Sequence, residues 1–153
     1  MGDEKALNWV ERRSICETNR REQAPKIWQE VLAALQDACE SFSKHYPFEK
    51  RANCNPCTPD DDGQVARITR IAQKLSGSVL VPDGKPDEVA VVTFTKQSFS
   101  ISSGKLKLSI QSDDSGVCVM ESDKHLTPDE VSRRILEPHL FPQEKMTPRI
   151  RQL

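Results

Sequence analysis

The sequence predicts an α+β fold: helices first, then an antiparallel sheet of about five strands, then one closing helix. Three observations predict it. Between residues 25 and 46 the apolar side chains recur every three or four positions, the period of an amphipathic helix. From Ser78 onward they alternate with polar ones, the period of a strand. The stretch 127–130, Thr-Pro-Asp-Glu, then has the composition of a helix start with a capping box.

Two helices are predicted before the sheet, over 3–22 and 25–46. Asp3 is positioned to cap the first of them. Ala24 precedes Pro25, and since the residue before a proline disfavours helical geometry, we expect a break or kink at this point. The two helices would then form a pair, with the shorter one packed across the longer. The apolar stripe of the longer helix should pack against the sheet.

The stretch 47–63 is predicted to be an irregular surface loop. It contains three prolines, two asparagines and three consecutive aspartates, all of which favour turns. After it, apolar residues over 65–75 recur at helical spacing. We therefore predict a helix there, capped by Asp61 or Asp62 and ended by Gly77. A strand is the alternative, because the same residues are compatible with β structure.

Five strands separated by turn sequences are predicted, over residues 79–81, 88–95, 99–102, 106–110 and 117–120. Short loops between successive strands imply an antiparallel meander. The strand 88–95 carries apolar residues on both faces, which is typical of a central strand. Leu106, Leu108 and Ile110 alternate with polar residues, so their side of the strand should pack on the long helix.

A single domain is predicted over residues 1–140, followed by a flexible tail over 141–153. A chain of 153 residues is the size of one domain with its own core. The last helix begins at the capping box of Thr127, and Pro138 should end or bend it. The tail is rich in proline and charged residues, which favours disorder at a terminus.

The charge balance argues against several partners. The 22 basic and 23 acidic residues are interleaved and give a net charge of −1, so no strongly basic face for nucleic acid is expected. No apolar run approaches the roughly 20 residues that span a bilayer. The start of the sequence has no apolar segment typical of a secretory signal, and its five cysteines are an odd number. We therefore expect a cytoplasmic protein with free thiols.

The sharpest chemical signal is Cys54-Asn55-Pro56-Cys57. A CxxC pair can share a metal ion or form a small redox disulfide. With Cys39 and His45 upstream, a set of four possible zinc ligands results: Cys39, His45, Cys54 and Cys57. A zinc site, a thiol-redox pair and two solvated thiols without a role all remain open. The third interpretation is favoured, because Cys39 lies on the helix stripe and no second CxxC is present.

No recognisable catalytic motif or cofactor fingerprint is present, and the three histidines, His45, His125 and His139, are scattered along the chain. We therefore expect a non-enzymatic binding or interaction module whose partner is a protein or a second copy of the chain. If the helices leave one face of strand 88–95 open, a homodimer is favoured. The alternative function is a small zinc-binding or thiol-redox protein that uses the CxxC. An enzyme with a pocket between sheet and helix ranks third.

Overall fold

The structure, a computed structural model, describes residues 8–60, 63–113 and 116–142. In chain order the helices and strands of these ranges are α1 Trp9–His45, β1 Arg51–Asp60, β2 Gly63–Ile71, β3 Gln73–Ser76, β4 Val79–Pro82, β5 Asp87–Thr95, β6 Ser100–Ser103, β7 Leu106–Asp113, β8 Gly116–Glu121, β9 Lys124–Leu126 and α2 Pro128–Leu140.

The main sheet is an antiparallel meander with the strand order β1-β2-β5-β6-β7-β8-β9. β3 and β4 form a separate two-stranded hairpin. The predicted α+β class and antiparallel meander are confirmed. The sheet is larger than expected, with seven strands rather than about five.

α1 is one helix of 37 residues, so the predicted helix pair is wrong. Its first turn is a capping box: the Asn8 side chain accepts a hydrogen bond of 2.8 Å from the Glu11 backbone N–H, and the Glu11 carboxylate accepts one from the Asn8 N–H. The predicted cap, Asp3, lies outside the described residues.

Pro25 lies inside α1 without ending it. A proline in a helix interior removes one backbone hydrogen bond and costs about 3 kcal/mol. The neighbouring Ala24 and Trp28 are both buried in the core, at 0% and 1% exposure. Because the residues on both sides of the proline belong to one continuous buried stripe, tertiary packing keeps the helix intact.

The buried stripe of α1 packs on one face of the sheet, as predicted for the longer helix. It comprises Ala24, Trp28, Val31, Leu32, Leu35, Cys39 and Phe42. Trp28 stacks on Phe94 of β5, with ring centroids 5.5 Å apart and planes 9° apart. Its indole N–H donates a 2.6 Å hydrogen bond to the Gln64 side chain on β2, so the buried indole has its polar partner.

β1 and β2 replace the predicted loop and helix. β1 is the edge strand of the sheet, and its Pro56 lies opposite Ala66 of β2. An edge strand tolerates proline, because only the inner side of its ladder is paired. The helix preferred over 65–75 is wrong and the strand alternative is right, since Ala66 and Ile68 are buried while Arg67 between them is exposed. The proposed caps of that helix, at 61 and 62, lie outside the described residues.

The other predicted strands correspond to β4, β5, β6, β7 and β8 within a few residues. On β7, Leu108 and Ile110 are buried as predicted, and the strand contacts α1. β4 pairs with β3 instead of joining the main sheet, and Leu75 and Val79 on this hairpin are more than half exposed. β9 was not predicted, because it is only three residues long.

α2 confirms the strongest prediction made for a helix end. The Thr127 hydroxyl accepts a hydrogen bond from the Glu130 backbone N–H at 3.1 Å, and the Glu130 carboxylate accepts one from the Thr127 N–H at 2.9 Å. Pro138 does not end the helix, which continues to Leu140. Phe141 then packs edge-on against Phe42 of α1, at 5.4 Å between ring centroids. Most of the predicted tail, 143–153, lies outside the described residues.

Arg70 of β2 joins four parts of the molecule. Its guanidinium donates hydrogen bonds to the backbone oxygens of Lys50, before β1, and His139, in α2, at 3.1 Å and 3.3 Å. It also lies 5.1 Å from the centroid of the Phe42 ring in α1, a cation–π distance. One side chain therefore ties the ends of both helices to the sheet.

We expect Arg70→Met to lower the free energy of unfolding by about 2 kcal/mol, because two carbonyl groups lose a charged donor. Arg67→Met is the matched control, since Arg67 lies on the same strand and is exposed, with an ion pair to Glu88. That control should change stability by less than about 1 kcal/mol. Urea unfolding followed by circular dichroism measures both, and equal losses would contradict the role given to Arg70.

Candidate functional site

The structure separates the two cysteines of the CxxC. Both lie on β1, three residues apart, and residues at an odd spacing on a strand point to opposite faces of a sheet. Cys54 faces the helices and packs against the core, whereas Cys57 is exposed on the other face. The cysteine that lies close to Cys54 is Cys39 of α1. A charge on the Cys39 thiolate would raise the pKa of the Cys54 thiol.

The two core thiols are held in their protonated form. Burial raises the pKa of Cys39 to about 11. Burial raises the pKa of Cys54 to about 12, and the neighbouring Cys39 adds to that rise. Since the thiolate is the nucleophile and the metal ligand, both thiols are unreactive near neutral pH.

His45 lies in the last turn of α1 and is turned toward its own helix. Its Nδ1 donates a 2.9 Å hydrogen bond to the backbone oxygen of Ser41. Within residues 8–60, 63–113 and 116–142, no group of three or more His, Cys, Asp or Glu side chains is arranged to hold a metal ion. The four residues proposed as zinc ligands are therefore not assembled into one site in this structure.

A cysteine–histidine pair that the sequence analysis missed lies on β8 and β9. The Sγ of Cys118 is 3.3 Å from Nδ1 of His125. Partial burial raises the pKa of the Cys118 thiol, and the charge of Asp113 adds to the rise. The pair forms because Met120 lies opposite His125 in the β8–β9 hairpin, so it could have been found only by recognising the short strand β9.

One face of the main sheet is turned away from both described helices. We call it the outer face. The strand residues on it alternate with the buried ones and include Cys57, Val65, Val91, Thr93, Ser102, Ser109, Cys118 and Met120. Apart from exposed Cys57 these side chains are half-buried, and the buried side chains of both described helices belong to the core on the opposite side.

Small uncharged side chains dominate the centre of the outer face. Thr93, Ser102 and Ser109 lie there beside Val65 and Val91. Charged side chains also lie on the face: the guanidinium of Arg67 is 2.8 Å from the carboxylate of Glu88, and β7 contributes exposed Lys107 and Asp113. The face therefore offers valine side chains and hydroxyl groups at its centre, together with charges of both signs.

Neither described helix contains a stretch apolar enough to cross a bilayer. Comparison of the chain with protein-family models, with curated proteins and with solved structures finds no match.

We expect iodoacetamide at pH 8 to alkylate Cys57 at least about tenfold faster than Cys39 or Cys54, because access and a low thiolate fraction both protect the core thiols. Mass spectrometry of peptides at increasing reaction times measures the three rates. Comparable rates for Cys54 and Cys57 would contradict the placement of their side chains on opposite faces.

The same thiols predict a loss of stability at alkaline pH. Their folded pKa values, about 11 and about 12, exceed the ordinary value of 9.0, so their contribution to stability is complete below pH 9 and is lost as the pH rises toward those values. Between pH 8 and pH 10.5 the native chain should therefore lose more free energy of unfolding than Cys54→Ala. Parallel losses in the two chains would contradict this assignment.

Proposed function

We propose that the chain is a non-enzymatic, cytoplasmic interaction module that associates with a second copy of itself through the outer face. The observation that carries the proposal is the open face of a seven-stranded sheet, with valine, serine and threonine side chains at its centre. All five cysteines are free thiols, which agrees with a reducing compartment.

The size of the outer face supports a stable interface. Seven strands spaced about 4.8 Å apart make a face about 34 Å wide, and strands that average about seven residues make it about 23 Å long. The resulting area of about 780 Å² is close to the roughly 800 Å² that each partner buries in a typical stable complex.

The chemistry of the outer face supports a second copy as the partner. In a two-fold symmetric interface the same surface meets itself, so an unbalanced charge would face a like charge. The central Ser, Thr and Val side chains avoid that repulsion, and Arg67 is already neutralised by Glu88. Lys107 and Asp113, also on this face, carry opposite charges, so neither sign dominates. Two such sheets can pack face to face at about 10 Å with their side chains interdigitated.

We expect the native chain to sediment as a dimer and Val91→Lys to raise the dimer dissociation constant by about 100-fold or more, because each copy would bury an unpaired ammonium group. Val79→Lys is the matched control: Val79 is 61% exposed on the β3–β4 hairpin, which is not part of the main sheet. Analytical ultracentrifugation of the three chains measures the effect.

A native chain that stays monomeric across micromolar to millimolar concentrations would exclude the proposal. A native dimer that Val79→Lys weakens as much as Val91→Lys would place the interface elsewhere. Circular dichroism on each variant separates dissociation from unfolding.

A further inference from the structure

A small polar cavity lies between the first half of α1 and the end of β7. Its volume is about 180 Å³, and the residues that line it are Arg13, Cys16, Glu17, Arg20, Gln111 and Ser112. The four helix residues share one face of α1, because they follow the first of them by three, four and seven positions. Pockets for drug-sized ligands measure roughly 300–1,000 Å³, so a cavity of this size suits a small ion.

The cavity is polar because the buried stripe of α1 ends at Ala24. Arg20 lies one turn before Ala24 on the same face of the helix and is half-buried. Opposite the helix, Ser112 follows the buried Leu108 and Ile110 on the helix side of β7, where the alternation of the strand places it. Two polar side chains therefore occupy positions that are apolar elsewhere in the contact between α1 and the sheet.

Two buried polar groups in the lining of this cavity have no hydrogen-bond partner among the described residues. They are the Nε–H of Arg20 and the hydroxyl of Ser112. Burial of an unpaired polar group is unfavourable, so native proteins normally supply a partner, which can be an ordered water or an ion. One group belongs to α1 and the other to β7, and an acceptor held in the cavity between them would satisfy both.

The guanidinium of Arg20 is held in place by the ring of Phe99. Its Cζ lies 4.5 Å from the ring centroid, a cation–π distance. Phe99 has a φ of 49°, a conformation that a bulky residue rarely adopts, and its backbone oxygen accepts a 2.8 Å hydrogen bond from the Ile110 N–H. The ring and the cation on it are therefore oriented in advance. Stacking occupies the face of the guanidinium and leaves the N–H groups at its edge for an anion.

The charge around the cavity favours an anion. Arg13 is paired with Glu17 at 3.3 Å, so these two charges compensate each other. Arg20 forms no ion pair within the described part of the chain, and neither does Arg21, the next residue of α1. Asp113, at the end of β7, lies on the outer face and points away from the helix. The cavity therefore has a net positive charge.

We infer that this cavity binds a free, small tetrahedral oxyanion of the phosphate class. The Arg20 guanidinium and the Ser112 hydroxyl donate hydrogen bonds to its oxygens. A tetrahedral ion accepts hydrogen bonds from several directions, which suits donors that come from a helix and from a strand. The bound ion joins α1 to β7. This inference goes beyond the proposed self-association, and because the cavity is on the helix side of the sheet, its test does not depend on the outer face.

Titration of the full chain with inorganic phosphate at constant ionic strength tests the inference. We expect a dissociation constant of about 1 mM or lower, together with a shift of the Arg20 Nε–H resonance in nitrogen–proton NMR spectra. Arg20→Met should weaken binding at least about tenfold, because a charged donor is lost. Ser112→Ala keeps the charge and should weaken binding about fivefold, because a neutral donor is lost. The matched control is Arg21→Met, which makes the same change one position along α1 and should weaken binding less than about twofold.

Binding that Arg20→Met and Ser112→Ala weaken and that Arg21→Met retains supports the inference. An Arg20 Nε–H resonance that phosphate does not shift overturns it. Equal weakening by Arg20→Met and Arg21→Met also overturns it, since the attraction would then be a general effect of charge.

Two further ligands test the chemical class of the ion. Acetate that binds as tightly as phosphate overturns the assignment to a tetrahedral oxyanion. Phenyl phosphate that binds at least about tenfold more tightly than inorganic phosphate overturns the assignment to a free ion. Circular dichroism verifies that each variant is folded, and if Arg20→Met is not, the result for Ser112→Ala decides the test.

Discussion

The packing of α1 across one face of the sheet is the constraint on which the rest of the structure depends. Trp28 is at the centre of this contact: it stacks on Phe94, and its indole N–H is bonded to Gln64, so a large side chain is buried without an unpaired polar group. Once α1 occupies that face, α2 packs along α1, where Ser132 bonds to its backbone. The open outer face is therefore a consequence of the same contact.

Local patterns predicted the elements whose stability is local. The Thr127 capping box and the alternation along β7 depend on neighbours within a few residues, and both were read correctly. The structure around Pro25 and Pro56 differs from the prediction for the opposite reason: it depends on contacts distant in sequence. Pro25 costs α1 a backbone hydrogen bond, and burial of the residues on both sides of it offsets that cost. Pro56 avoids the cost of a missing ladder bond because β1 is at the edge of the sheet. The prediction of a helix in place of β2 was wrong because the few apolar residues of this segment fit both a helical and a strand period.

The candidate sites depend on contacts that sequence spacing does not encode. Cys54 and Cys57 are close in sequence, yet the strand directs them to opposite faces, whereas Cys39 and Cys54 meet only because α1 packs on β1. Cys118 and His125 meet through the register of a three-residue strand. An open sheet face, in contrast, can be predicted from the sequence. Strand 88–95 has apolar residues on both sides, while only one side can face the helices.

The near-zero net charge of the chain conceals a separation of charge. Residues 143–153 contain three basic residues and one acidic residue, so the net charge of −1 leaves the remainder of the chain at −3. In that remainder the outer face is not dominated by either sign: Arg67 is paired with Glu88, and Lys107 and Asp113 carry opposite charges. A symmetric self-contact favours such a surface, because an excess of one sign would meet like charges on the second copy.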